Sequence, residues 1–193
     1  MPRKPSTNSP DEILTSEFKY IATTAFQANE DRARATSFYL VTFGSFIAAL
    51  VSSQFELTSG QEAWLDWGFS GLFLALALMG LVTVLELARL RAAWFESVEA
   101  MNSIKEYYIA RHPELADAIK WRSTSDAMPR RLKLTSVGFL MAIQVAVLGS
   151  AALGAGVFFA TKAVSGAVWF LPAILVSLAY FWVLLESYRL TVK

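Results

Sequence analysis

The 17 basic and 16 acidic side chains of this 193-residue sequence leave four long windows empty. No Asp, Glu, Lys or Arg occurs in Ala35–Ser53, Trp67–Leu85, Leu134–Thr161 or Ala163–Leu185. A helix rises about 1.5 Å per residue and the hydrocarbon core of a bilayer is about 30 Å thick, so each window spans it, or nearly does with its flanks. An ion held at mid-bilayer costs on the order of 3 kcal/mol on insertion scales, which is the physical reason to segregate charge this way. A soluble bundle would instead show a polar face at helical period. Gly71–Leu85 reads GLFLALALMGLVTVL and has none. The pattern predicts an all-α, polytopic membrane protein with four transmembrane helices, at about 35–55, 64–88, 134–160 and 166–188.

Composition excludes other classes. With no cysteine, neither a disulfide scaffold nor a thiolate metal centre is available. A net charge of +1 offers no electrostatic reason to expect a nucleic-acid partner. A hydrophobic content of 55% rules out a disordered chain.

Orientation is read from Lys and Arg. All but Lys162 of the 17 basic residues fall in 1–34, 86–133 or the tail after span four, while 54–66 carries Glu56, Glu62 and Asp66 and no base. The positive-inside rule puts those basic segments, and both termini, in the cytoplasm of a cell (inner or plasma) membrane, with the lipid bilayer as the first partner. Arg130, Arg131 and Lys133 are the headgroup anchors before span three. Trp64, Trp67 and Trp169 mark the outer interface; Trp182 and Tyr188 mark the inner one. The polar N-terminal segment contains no signal-peptide core, so span one is expected to be its own insertion signal.

Four segments follow: a disordered lead 1–8, a long helical hairpin 9–112, a short helix with a basic linker 113–133, and spans three and four with a tail over 134–193. Ser9-Pro10-Asp11-Glu12 is a helix start, with Ser9 as N-cap, Pro10 at N1 and Glu12 completing a capping box. Leu14, Phe18, Ile21, Ala25 and Ala28 then recur at 4-3-4-3 spacing, a heptad seam. No Gly or Pro interrupts Leu81–His112 either. Two helices are therefore expected to leave the bilayer as an antiparallel cytoplasmic stalk, residues 10–34 against 90–110, able to bury Phe18, Ile21, Phe26, Trp94, Val98 and Met101. His112-Pro113 ends the second. Pro113–Arg122 reads as a short amphipathic helix offering Leu115, Ile119 and Trp121. Glu86-x-x-Arg89-Leu90 recurs as Glu186-x-x-Arg189-Leu190, and Thr36-Ser37 as Thr135-Ser136, a hint of duplication.

Few residues could carry chemistry. Glu86/Arg89 and Glu186/Arg189 read as interfacial charge pairs, or, in an oligomer, as a carboxylate ring at a pore mouth. Gln144 is the most polar side chain deep in a span; its amide should face another helix or line a pore. Gly138, Ala142, Ala146, Ser150 and Gly154 recur every four residues as a helix-packing seam. Gly154 and Gly156 could soften the outer end of span three, and Pro172 should kink span four. His112 is the sole histidine and has no ligand or acid–base constellation around it in the sequence. No catalytic, cofactor or metal site is expected. The sequence favours a non-enzymatic accessory or scaffold protein whose stalk binds a partner or a second copy. The alternative is a homo-oligomeric channel or pore-forming effector gated through the stalk. A secondary transporter is weakest, since no span holds a mid-membrane ion and no discontinuous helix pair is evident.

Overall fold

The computed structural model describes residues 9–53, 62–119, 122, 132–133, 135–166 and 169–192. The lead 1–8 and most of the basic linker lie outside the described residues. Those described form four α-helices: α1 (Pro10–Ser53), α2 (Glu62–Arg111), α3 (Val137–Ser165) and α4 (Phe170–Val192). All four are long and apolar enough to cross a membrane.

Local signals set the helix ends. The Ser9 hydroxyl accepts from the Glu12 amide at 3.3 Å. Asp11 and Glu12 place negative charge in the first turn of α1, where it complements the helix dipole. α1 then runs unbroken for 44 residues. That is a rod on the order of 66 Å long, at about 1.5 Å per residue. α2 continues for 50 residues, beyond its apolar window. The short helix expected over Pro113–Arg122 is, among the described residues, a single 3-10 turn, Pro113–Leu115. The bonds that follow, from the Ala118 and Ile119 amides to the Leu115 carbonyl, do not extend into a helix. Ser136 caps α3, its hydroxyl accepting from the Phe139 amide. Gly166 ends α3 at φ 64°, with its amide donating to the Lys162 carbonyl, a left-handed cap that suits glycine. That cap moves the start of the fourth helix from 166 to Phe170. Pro172 therefore sits in the first turn of α4, where its missing amide has no intrahelical partner to lose. The kink expected from it has no cause.

α2 and α3 make the centre of the bundle. Half of the apolar window of α3 and 44% of that of α2 are buried, against 11% for α1 and for α4. α1 and α4 each pack on both central helices and do not pack against one another among the described residues. α3 meets α2 along Ala142, Val145, Gly149, Ala152 and Gly156, all buried, at alternating three- and four-residue spacing. A Cβ on Gly80 would lie 3.1 Å from the Gly149 Cα, and one on Gly156 would lie 3.4 Å from the Ser70 carbonyl. The backbones cross at these glycines because neither carries a side chain there. Gly156 thus provides close approach between α3 and α2.

Beyond the apolar windows α1 and α2 stay together as an antiparallel pair, here termed the extension. The Tyr108 hydroxyl donates to the Asp11 carbonyl at 3.4 Å, and Arg32 lies beside Trp94, which sets the register. The seam Leu14, Phe18, Ile21, Ala25, Ala28 faces inward, with Ala25 and Ala28 buried. Phe26 does not join them. It is 64% exposed, because one position past Ala25 it points away. Leu14, Phe18, Ile104, Tyr108, Leu115 and Ile119 are among the residues lining a cavity of about 310 Å³ near the tip. Trp121 lies outside the described residues.

Candidate functional site at the base of the extension

The heptad row of α1 does not stop at Ala28. Its next position, four residues on, is Arg32, and that side chain is only 6% exposed. Arg91, on α2, is equally buried. Both guanidinium groups stand over the Trp94 ring, Arg91 at 4.5 Å and Arg32 at 6.0 Å from its centroid, within reach of the ring quadrupole. Arg32 Nε donates to the Ala28 carbonyl, and a terminal nitrogen of Arg32 donates to Asn29 Oδ1. No ion pair reaches Arg32 among the described residues. Burial lowers the pKa of both arginines, and the charge of Arg91 lowers that of Arg32 further.

All four helices contribute at this level. A Cβ on Gly138 would lie 2.5 Å from a terminal nitrogen of Arg32, so the glycine makes room for the guanidinium. Tyr188, from α4, is 1% exposed and packs edge-on against Phe139 of α3 at 5.7 Å. With Leu184 and Val192 it occupies the inward row of α4, at four-residue spacing. The cluster joins the extension mechanically to the apolar bundle: α1 and α2 arrive with charge, and α3 and α4 meet them with a glycine and an aromatic ring.

Further polar contacts lie deeper. Tyr39 of α1 and Tyr180 of α4 donate to adjacent carbonyls of α2, Leu76 at 3.3 Å and Ala77 at 2.8 Å. Ser177 Oγ donates to the Ser150 carbonyl and Ser70 Oγ to that of Gly156. At the opposite end Lys162 pairs with the buried carboxylate of Asp66 at 3.0 Å. Sequence reasoning placed Asp66 and Lys162 near that end without pairing them. Arg32 and Arg91 read there only as basic residues outside the apolar windows, and the two tyrosines carry no mark. The heptad count extends to Arg32, and Arg91 falls three residues before Trp94 on the row that continues through Val98 and Met101.

Gly138, Ala142, Ala146, Ser150 and Gly154 are all buried, though not against one neighbour. A four-residue step advances about 40° around a helix. The row therefore winds from Arg32 of α1, at Gly138, to Ala173 and Ser177 of α4, at Gly154. Glu186 pairs with Arg189 at 3.4 Å, half-exposed. Glu86 and Arg89 are exposed, and no ion pair joins them among the described residues. Thr36 and Ser136 have different settings, one inside α1 and one capping α3. Lys133 is exposed; Arg130 and Arg131 lie outside the described residues. Trp64, Trp67, Trp169 and Trp182 are exposed. Gln144 does not face a neighbouring helix of the chain: it is exposed on the outer side of α3, because the inward side is filled by the row through Val145 and Gly149.

Compared with known proteins, the chain matches no family model, no curated protein and no solved structure.

Proposed function

We propose that this chain is a non-enzymatic integral protein of the cell membrane, with both termini cytoplasmic, whose helical extension is a docking platform for a partner protein or for another copy of the chain. One observation carries this reading. Two helices continue well past their apolar windows and stay paired, yet the paired segment still exposes large apolar side chains: Ile13, Tyr20, Phe26 and Tyr107. Within the apolar windows such exposure suits lipid. Beyond them the same exposure lies in water, where a protein surface is the favourable cover. The pairing leaves the extension ordered before a partner arrives, which lowers the entropic cost of docking. The outward placement of Glu86 weighs against a carboxylate-lined pore within one chain.

The test uses the absence of native cysteine. Ser16→Cys and Ser103→Cys, made singly, should react with an impermeant thiol reagent only when the cytoplasmic side is opened. Labelling from outside would overturn the topology. In the full-length chain, Tyr20→Glu with Phe26→Glu should abolish binding of a partner that the wild type retains at defined affinity, with the chain still in the membrane fraction. Unchanged binding would overturn the docking role, and single-channel current from reconstituted chain would favour the pore.

A further inference from the structure

The outer face of α3 carries one strongly polar group. Gln144 is the eighth residue of the helix, about 10 Å along it from Val137. It is exposed and makes no hydrogen bond within the chain among the described residues. Val137, Leu140, Val147 and Ala151 share its face at alternating three- and four-residue spacing, and all are exposed. The opposite side of α3 is already filled by α2.

We propose that a second copy of this chain covers this face, in a parallel two-fold dimer in which the two Gln144 carboxamides hydrogen-bond to each other. The inference rests on the membrane reading above and is independent of what the extension docks. Three arguments select the occupant. An amide facing hydrocarbon has no water to bond, and at this depth its side chain is too short to reach the interface. A primary carboxamide is both donor and acceptor, so its own duplicate satisfies it. Two copies inserted with the same orientation hold Gln144 at the same depth, so the pairing needs no adjustment of register; a foreign helix would need a matching polar group at that level. The flanking pattern agrees. A row spaced for helix–helix packing with one polar position is the arrangement that sets register, and Ala151 lets the two backbones approach.

The test is made on the full-length chain in membranes. Ala151→Cys introduces a sole thiol beside the proposed axis. Oxidation should give a band at twice the 21.3 kDa chain mass. Val41→Cys and Leu178→Cys, equally outward on α1 and α4, should not. Adding Gln144→Leu to Ala151→Cys should reduce the dimer at least about tenfold, the equivalent of roughly 1.4 kcal/mol; an apolar residue on that face leaves insertion intact. Alkaline carbonate extraction separates the two hypotheses. A chain released to the supernatant overturns the membrane reading and the dimer with it. A chain retained in the pellet whose dimer is unaffected by Gln144→Leu, or forms equally through the control cysteines, overturns the dimer alone. A Gln144-dependent band at another mass overturns the second copy in favour of a foreign partner.

Discussion

The contact between α2 and α3 and the contact between the extension segments of α1 and α2 join helices by opposite means. In the first, Gly80 and Gly149 let two backbones nearly touch, and small residues line the seam. In the second, larger side chains such as Phe18, Ile104 and Tyr108 stand between the helices and leave a cavity of about 310 Å³. On the membrane reading proposed above, the difference follows from the solvent each contact would displace. Lipid is as apolar as leucine, so burying a large apolar side chain gains little there, and close van der Waals contact and hydrogen bonds must do the joining. Water rewards removal of apolar area at about 25 cal/mol per Å², so the extension tolerates looser packing.

The largest expected effect tests the tight contact. A Cβ on residue 80 would meet the Gly149 backbone and the Tyr39 hydroxyl. Gly80→Val should therefore destabilise the bundle by about 3 kcal/mol, the upper range for overpacking. Detergent unfolding monitored by circular dichroism measures this; a variant as stable as the parent would break the account of the α2–α3 crossing. Next comes the extension seam, where Ala28 is 6% exposed. Ala28→Glu buries a charge there and should cost about 2 kcal/mol. Hydrogen exchange should quicken in 10–30 and 96–111 while 73–88 stays protected. Loss of protection in both would show the two contacts to be one cooperative unit. Asp66→Asn weakens the pair with Lys162, whose side chain is 36% exposed. Partial access to solvent limits the loss to about 1–2 kcal/mol, read in the same unfolding assay. The smallest effect reverses sign. Nothing lies within 4 Å of a Cβ built on Gly44. Gly44→Ala should stabilise by somewhat under about 1 kcal/mol through helix propensity. A destabilised variant would mean that this face of α1 is covered. A thiol crosslink between Phe18→Cys and Ile104→Cys, which line one cavity, should form more readily than one between positions 18 and 98; the reverse would move the register of the extension by nearly two turns.

Much of the molecule was legible in residue order. The four apolar helices, the Ser9 cap and the inward row from Leu14 to Ala28 follow from local rules. Other features were not. Pro172 reads as a kink until Gly166 is seen to end α3 and move the next helix start. Nothing in the sequence turns Tyr188 toward the other helices; its row with Leu184 and Val192 does so only when α4 packs. Arg32 and Arg91 read only as two of the basic residues outside the apolar windows, and their burial over Trp94 requires two helices to be brought together.

Residue order alone settles where the helices run and which lengths can lie in lipid, because helix geometry, capping and the cost of burying charge act over a few residues. Which side of each apolar helix turns inward is settled only once the helices pack. In α3 nearly every face is greasy, so hydrophobic periodicity is silent. The choice falls to shape: a glycine facing a glycine, a tyrosine within reach of a carbonyl, and Gln144 left outside because its side of the helix could approach nothing as closely.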